Sequence, residues 1–189
     1  MEYPEPTLFA IPFFLIALLV EYRLVQKRVL RGEHLAGYEA RDSRASLWMG
    51  VGSIVWVGAI NLGVFRLATW LYAHRVCTIE SSMLVWALGL VGWDFSFYVH
   101  HRLEHEVRIL WACHVSHHSS VRYNLSTALR QPWTPWPMLV LFPPWALLGV
   151  PPKAIMISGG INLIYQYWIH TETIGRPLLD ITVVRIVST

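Results

Sequence analysis

From Ala45 to Phe65 the chain runs for twenty-one residues without a charge. A run of that length can cross the hydrocarbon core of a bilayer as a helix. In lipid the backbone must satisfy its own hydrogen bonds, which leaves few choices beyond a helical bundle. Segments 81–99, 131–152 and 154–171 repeat the pattern, with Asp94 the one charge among them. Hydrophobic residues make up 54% of the chain and charged residues 14%, against about 25% charge in a soluble domain. The expected fold is all-α, a polytopic membrane helical bundle forming one domain over residues 1–189.

The first apolar segment holds fourteen uncharged residues, Thr7 to Val20, before Glu21. That length also suits a signal-peptide core. Glu2 and Glu5 stand where such a peptide carries Lys or Arg, and E-Y-R-L-V-Q-K-R follows instead of a small-x-small cleavage site. Residues 7–25 are therefore expected as a retained helix with a snorkelling end. Segment 131–152 contains seven prolines, so it reads as broken or hairpin-like. Gly50, Gly52, Gly58 and Gly63 suggest close helix contact along segment 45–65.

Arg23, Lys27, Arg28, Arg31, Arg41 and Arg44 crowd the first loop, which the positive-inside rule places in the cytoplasm. Two passes later Arg102, Arg108, Arg122 and Arg130 mark residues 100–130 as lying on the same side. Segment 154–171 then returns His170 to that face. The net charge of +3 is modest, and nothing in it suggests nucleic acid. Cys77 and Cys113 form no disulfide framework, and Cys113 is expected as a small buried filler.

The histidines give the membrane frame a chemistry. Six of the nine lie between Asp94 and His118. Asp94, Tyr98, His101 and His105 step by four, three and four, one helical stripe. His114, His117 and His118 step by three and one, a second stripe on one helical side. Two faces of imidazoles can close a cage around metal, and imidazole suits zinc, copper, iron and nickel. The expected centre is dinuclear, with His101, His105, His114, His117, His118 and His170 as ligands. Asp94 and Tyr98 stand behind them, and Asp94 is expected to orient an imidazole through its second ring nitrogen. His100 points about 100° away from His101 and is expected outside the ligand set. Glu104 and Glu106 lie off the stripe and read as solvated charges; His34 and His74 take no role. The zincin H-E-x-x-H and the di-iron bundle E-x-x-H are both absent. A bis-histidine haem fits poorly, because haem needs two ligands on opposed helices.

These residues resemble the membrane-bound fatty acid hydroxylase/sterol desaturase superfamily. His101 and His105 match its H-x3-H box, inside a D-x3-Y-x2-H-R pattern formed by Asp94, Tyr98, His101 and Arg102. His114, His117 and His118 match its H-x2-H-H box. The stretches from His117 to Gln131 and from Tyr165 to Arg176 look like its alkylglycerol monooxygenase branch. The resemblance implies an iron-dependent oxidoreductase in lipid metabolism, a hydroxylase or monooxygenase with two iron ions. It would consume O2 at a lipid C–H bond, drawing electrons from an external reductant, either tetrahydrobiopterin or an electron-donor protein. Arg130 or Tyr123 would then either steer substrate or donor, or anchor the interface. Alternatives are a sterol, fatty acid or carotenoid desaturase or hydroxylase, or a non-catalytic zinc-binding membrane protein. The family continues into a third box, P-S-H-H-R-V-H-H. Residues 177–189 read P-L-L-D-I-T-V-V-R-I-V-S-T, so a C-terminally truncated chain lacking two or three ligands is expected.

Overall fold

The computed structural model describes residues 6–35 and 37–173. The segment in which the third box is missing lies outside the described residues. Among those residues the chain is helical and contains no strand. Three helices are long and apolar enough to cross a membrane: α1 (Pro6–Leu30), α2 (Ala40–Ala73) and α3 (Ser82–Glu106). Three shorter ones follow: α4 (Arg108–His114), α5 (Met138–Leu141) and α6 (Pro152–Tyr167).

Local chemistry sets the boundaries. Gly32, at φ 83°, closes α1, and the Gly32 and Glu33 amides donate back to the Val29 and Arg28 carbonyls. The Ser81 hydroxyl caps α3 by accepting from the Leu84 amide at 3.3 Å. Pro152 opens α6 at its first position, where a missing N–H costs nothing. Helix α1 runs on to Leu30, past the expected end at residue 25. Glu21, which the expected segment also contained, sits within the helix and is 3% exposed. Its donors lie on other segments and hold it in.

The proline-rich stretch after residue 131 forms only short helices, and it supplies the centre of the bundle. Phe142, Ala146 and Val150 are fully buried against Val64 and Ala68 of α2, Trp93 of α3, and Ala154 and Ile155 of α6. Trp145 Nε1 donates to Ser96 Oγ at 2.7 Å, and Ser96 donates to the Leu141 carbonyl. Of the glycines of α2, Gly52 and Gly63 face this stretch, through Trp133 and through Leu139 of α5; Gly50 faces Leu129, and Gly58 has nothing within 4 Å. A Cβ at Gly52 would lie 2.3 Å from the Trp133 indole, because the irregular chain is what packs there.

A second, smaller core joins α1 to α6. Phe14 stacks on Tyr167 at 4.2 Å, and the Tyr167 hydroxyl donates to the Phe14 carbonyl at 2.8 Å. Elsewhere α1–α3 expose apolar residues outward, among them Phe13, Leu19, Trp48, Val55 and Val91, as suits a lipid-facing surface.

Candidate metal centre

His101 and His105 lie one turn apart at the end of α3, with their Nε2 atoms 3.1 Å apart. At Val107 the backbone becomes extended (φ −99°, ψ 114°), and α4 folds back against α3. This reversal lays His114 beside the first pair, its ring centre 4.8 Å from that of His101. His118 follows, with Nε2 3.0 Å from Nε2 of His114. The structure thus brings His101, His105, His114 and His118 together, one ligand atom from each lying within 4.8 Å of the others.

His117 goes elsewhere. The expected single stripe over residues 114–118 is not one helix face: α4 ends at His114 and a tight 3-10 turn covers His117–Ser119. The turn sends His117 toward α6, where its Nε2 lies 3.3 Å from Nε2 of His170. His117 Nδ1 donates to the Arg130 carbonyl and His170 Nδ1 to the Gln166 carbonyl, both at 2.8 Å. A carbonyl only accepts, so in each neutral ring the proton sits on Nδ1 and Nε2 carries a lone pair. Two lone pairs then face one another.

The carboxylates differ from expectation. Glu104 is 2% exposed, not a solvated charge, because the fold-back of α4 covers the side of α3 that carries it. Its Oε2 lies 2.9 Å from Nδ1 of His114, and its Oε1 lies 3.5 Å from Nε2 of His100. Glu106 is exposed and pairs with Arg102. Asp94 accepts from Asn162 of α6 at 2.8 Å, and Tyr98 accepts from Arg102 at 2.9 Å. Gln166 also donates to Asn162, so Asp94 joins a run of side-chain hydrogen bonds on α6, which ends three residues before His170. Arg130 is buried: its guanidinium binds Asp42, Ser46 and Ser119 while its carbonyl holds His117. Tyr123 donates to the Ile169 carbonyl, beside His170. Cys113 lines a groove on the outer face of α4 with Met49, Ile109 and Trp133.

Residues 86–187 match the sequence model of the fatty acid hydroxylase family. The chain belongs to the fatty acid hydroxylase family. Its relatives include alkylglycerol monooxygenase of Homo sapiens, 36% identical over 93% of this chain and 39% of the relative. The Danio rerio protein of that name is 35% identical over 92% of this chain and 38% of its own length. The Xenopus tropicalis protein is 42% identical over 50% of this chain and 21% of its own length. The chain therefore spans about two fifths of the length of the first two relatives. No solved structure matches it.

In this family member His117 and His118 are held neutral. Burial pushes His117 down to about 3, with the Arg130 carbonyl opposing and the neighbouring imidazoles adding to the shift. Burial, then the charges of His114 and His105, pushes His118 down to about 4. Neutral rings with free lone pairs are what a cation requires. The unfolded chain takes up protons near pH 6.5, whereas these folded rings wait until about 3 and 4. Between those values the unfolded state binds more protons, so stability falls with acidification. The metal-free protein is expected to unfold at progressively lower temperature as the pH drops from about 6.5. Thermal unfolding in detergent across that range checks this; a level profile would contradict a neutral cluster.

Proposed function

We propose that this chain forms the membrane-embedded, metal-holding part of a lipid hydroxylase or monooxygenase. The carrying observation is the set of three facing Nε2 pairs, at 3.1, 3.0 and 3.3 Å. Two imidazoles bound to one cation at 2.0–2.1 Å, at right to tetrahedral angles, put their nitrogens about 2.8–3.4 Å apart. The donor set fits. His101, His105, His114 and His118 would hold one iron ion, and His117 and His170 the other. Bound iron would supply O2 activation against an unactivated lipid C–H bond.

The chain's own residues do the positioning. The Arg130 and Gln166 carbonyls hold the ring protons of His117 and His170 away from the site. Asp94 supports the α6 side through Asn162, and Tyr98 holds Arg102 at the end of α3. The apolar outer faces of α1–α3 let a lipid approach sideways from the bilayer. The Lys and Arg bias of the loops supports a cytoplasmic orientation of the cluster, from which tetrahydrobiopterin or an electron-donor protein would deliver electrons. The relatives are alkylglycerol monooxygenases, which favours an alkylglycerol as the lipid.

The test is whole protein reconstituted in lipid with iron and tetrahydrobiopterin, given an alkylglycerol under labelled O2. Label in the products, dependent on iron, is expected. No lipid oxidation by iron-loaded protein would overturn the reading. Purified protein carrying zinc and no iron would favour a non-catalytic zinc protein instead.

A further inference from the structure

Glu104 has no part in the ligand set, yet it is one of the most deeply enclosed charged groups, 2% exposed at the α3–α4 reversal. Its ion-pair neighbours are imidazoles, His114 and His100. Glu104 Oε1, His100 Nδ1 and His114 Nδ1 are buried without hydrogen-bond partners, so Glu104 meets His114 at ion-pair distance, with no hydrogen bond formed in the metal-free protein. A buried carboxylate left in that condition is destabilising by itself. It becomes favourable when positive charge resides on the far side of the ring it touches.

We propose that Glu104 is the positioning residue of the metal centre, acting through His114. Its Oε2 stands 2.9 Å from Nδ1 of His114, while Nε2 of the same ring faces His118. Carboxylate, imidazole and cation site thus lie in series. In that arrangement the carboxylate fixes the ring proton on Nδ1, orients Nε2 toward the cation and strengthens it as a donor. His100 flanks the other carboxylate oxygen and keeps water from it. The role assigned to Glu104 rests on the metal reading above and goes beyond it by naming a residue that touches neither metal nor substrate.

A structural brace and a positioning carboxylate make different demands. A brace stabilises the metal-free protein; Glu104, as a buried charge without a full complement of donors, does not. The experiment uses the whole protein in detergent, titrated with Co(II) alone and followed by its visible absorption. Metal-free thermal unfolding is recorded in parallel. Glu104→Gln keeps the shape and removes the charge; Glu104→Leu also removes the acceptor. Expected are Co(II) affinities about 10-fold and about 100-fold weaker, with an altered visible spectrum and a metal-free unfolding temperature unchanged or raised. Wild-type affinity and spectrum in both variants would overturn the proposal. So would weakened binding that only follows a lowered metal-free unfolding temperature. Should Glu104→Leu fail to fold, Glu104→Gln decides alone. Failure of the wild-type protein to bind Co(II) would count against the metal centre itself, a result distinct from normal binding by the variants.

Discussion

Replacing His118 with alanine is expected to weaken metal binding at the four-imidazole cluster by more than about 100-fold. The floor comes from comparison: removing a group that only supports a ligand already costs about 10- to 100-fold, and His118 is proposed as a ligand itself. Its Nε2 is 3.0 Å from that of His114, so its loss leaves three of the four converging nitrogens. His105→Ala should behave alike, since His105 faces His101 in the same way. His117→Ala should instead remove the cation held with His170, leaving the four-imidazole cluster loaded. Controls are His34→Ala and His74→Ala, which alter exposed side chains outside the cluster. Metal stoichiometry of the purified variants, measured by elemental analysis, separates these outcomes. Full loading of His118→Ala would remove that ring from the ligand set.

The second large effect is on folding. Glu21 lies within an apolar helix, yet it accepts from the Tyr38 hydroxyl, from the Leu125 amide at 2.7 Å and from the Thr171 hydroxyl. One carboxylate therefore pins three separate segments to α1, and one of them adjoins His170. Glu21→Leu strands these donors and the Thr173 hydroxyl, which also reaches the carboxylate at 3.3 Å; of them the Leu125 and Thr171 partners are buried. At about 1–3 kcal/mol for each buried group left unpaired, these two alone cost about 2–6 kcal/mol. That is a large share of the whole stability of a typical domain, about 5–15 kcal/mol. The variant is expected to accumulate poorly and to lose cooperative unfolding in detergent. Glu21→Gln, which keeps an acceptor, should retain most of the fold. An unfolding temperature for Glu21→Leu within a few degrees of wild type would rule out this clamp.

The contrast between these carboxylates and the histidines shows how far local pattern reaches. Helix periodicity was enough to place His101 and His105 together, because both sit on one regular helix. It failed at His117, since α4 stops at His114 and a 3-10 turn resets the direction of the next side chains. Two adjacent histidines thus serve opposite neighbours. Glu104 was illegible for a related reason. Its burial depends on α4 doubling back at Val107, where no glycine or proline announces a break. Glu21 did leave a signal: the apolar residues resume at Leu24 and Val25, so the charge interrupts a helix instead of ending it. Asn162 and Gln166, four residues apart in an otherwise apolar helix, were a similar hint. Prolines in the 131–152 stretch excluded a straight helix, but their positions could not reveal that Phe142 and Ala146 fill the centre.

Both anchors of the His117–His170 pair are peptide carbonyls, those of Arg130 and Gln166. Exchanging either residue's side chain leaves the carbonyl in place, so these two posts are invisible to an alanine survey. They are sensitive to changes in the path of the main chain, such as a proline that displaces the preceding turn. Tolerance at position 130 or 166 would consequently carry no information on whether the imidazoles lean there.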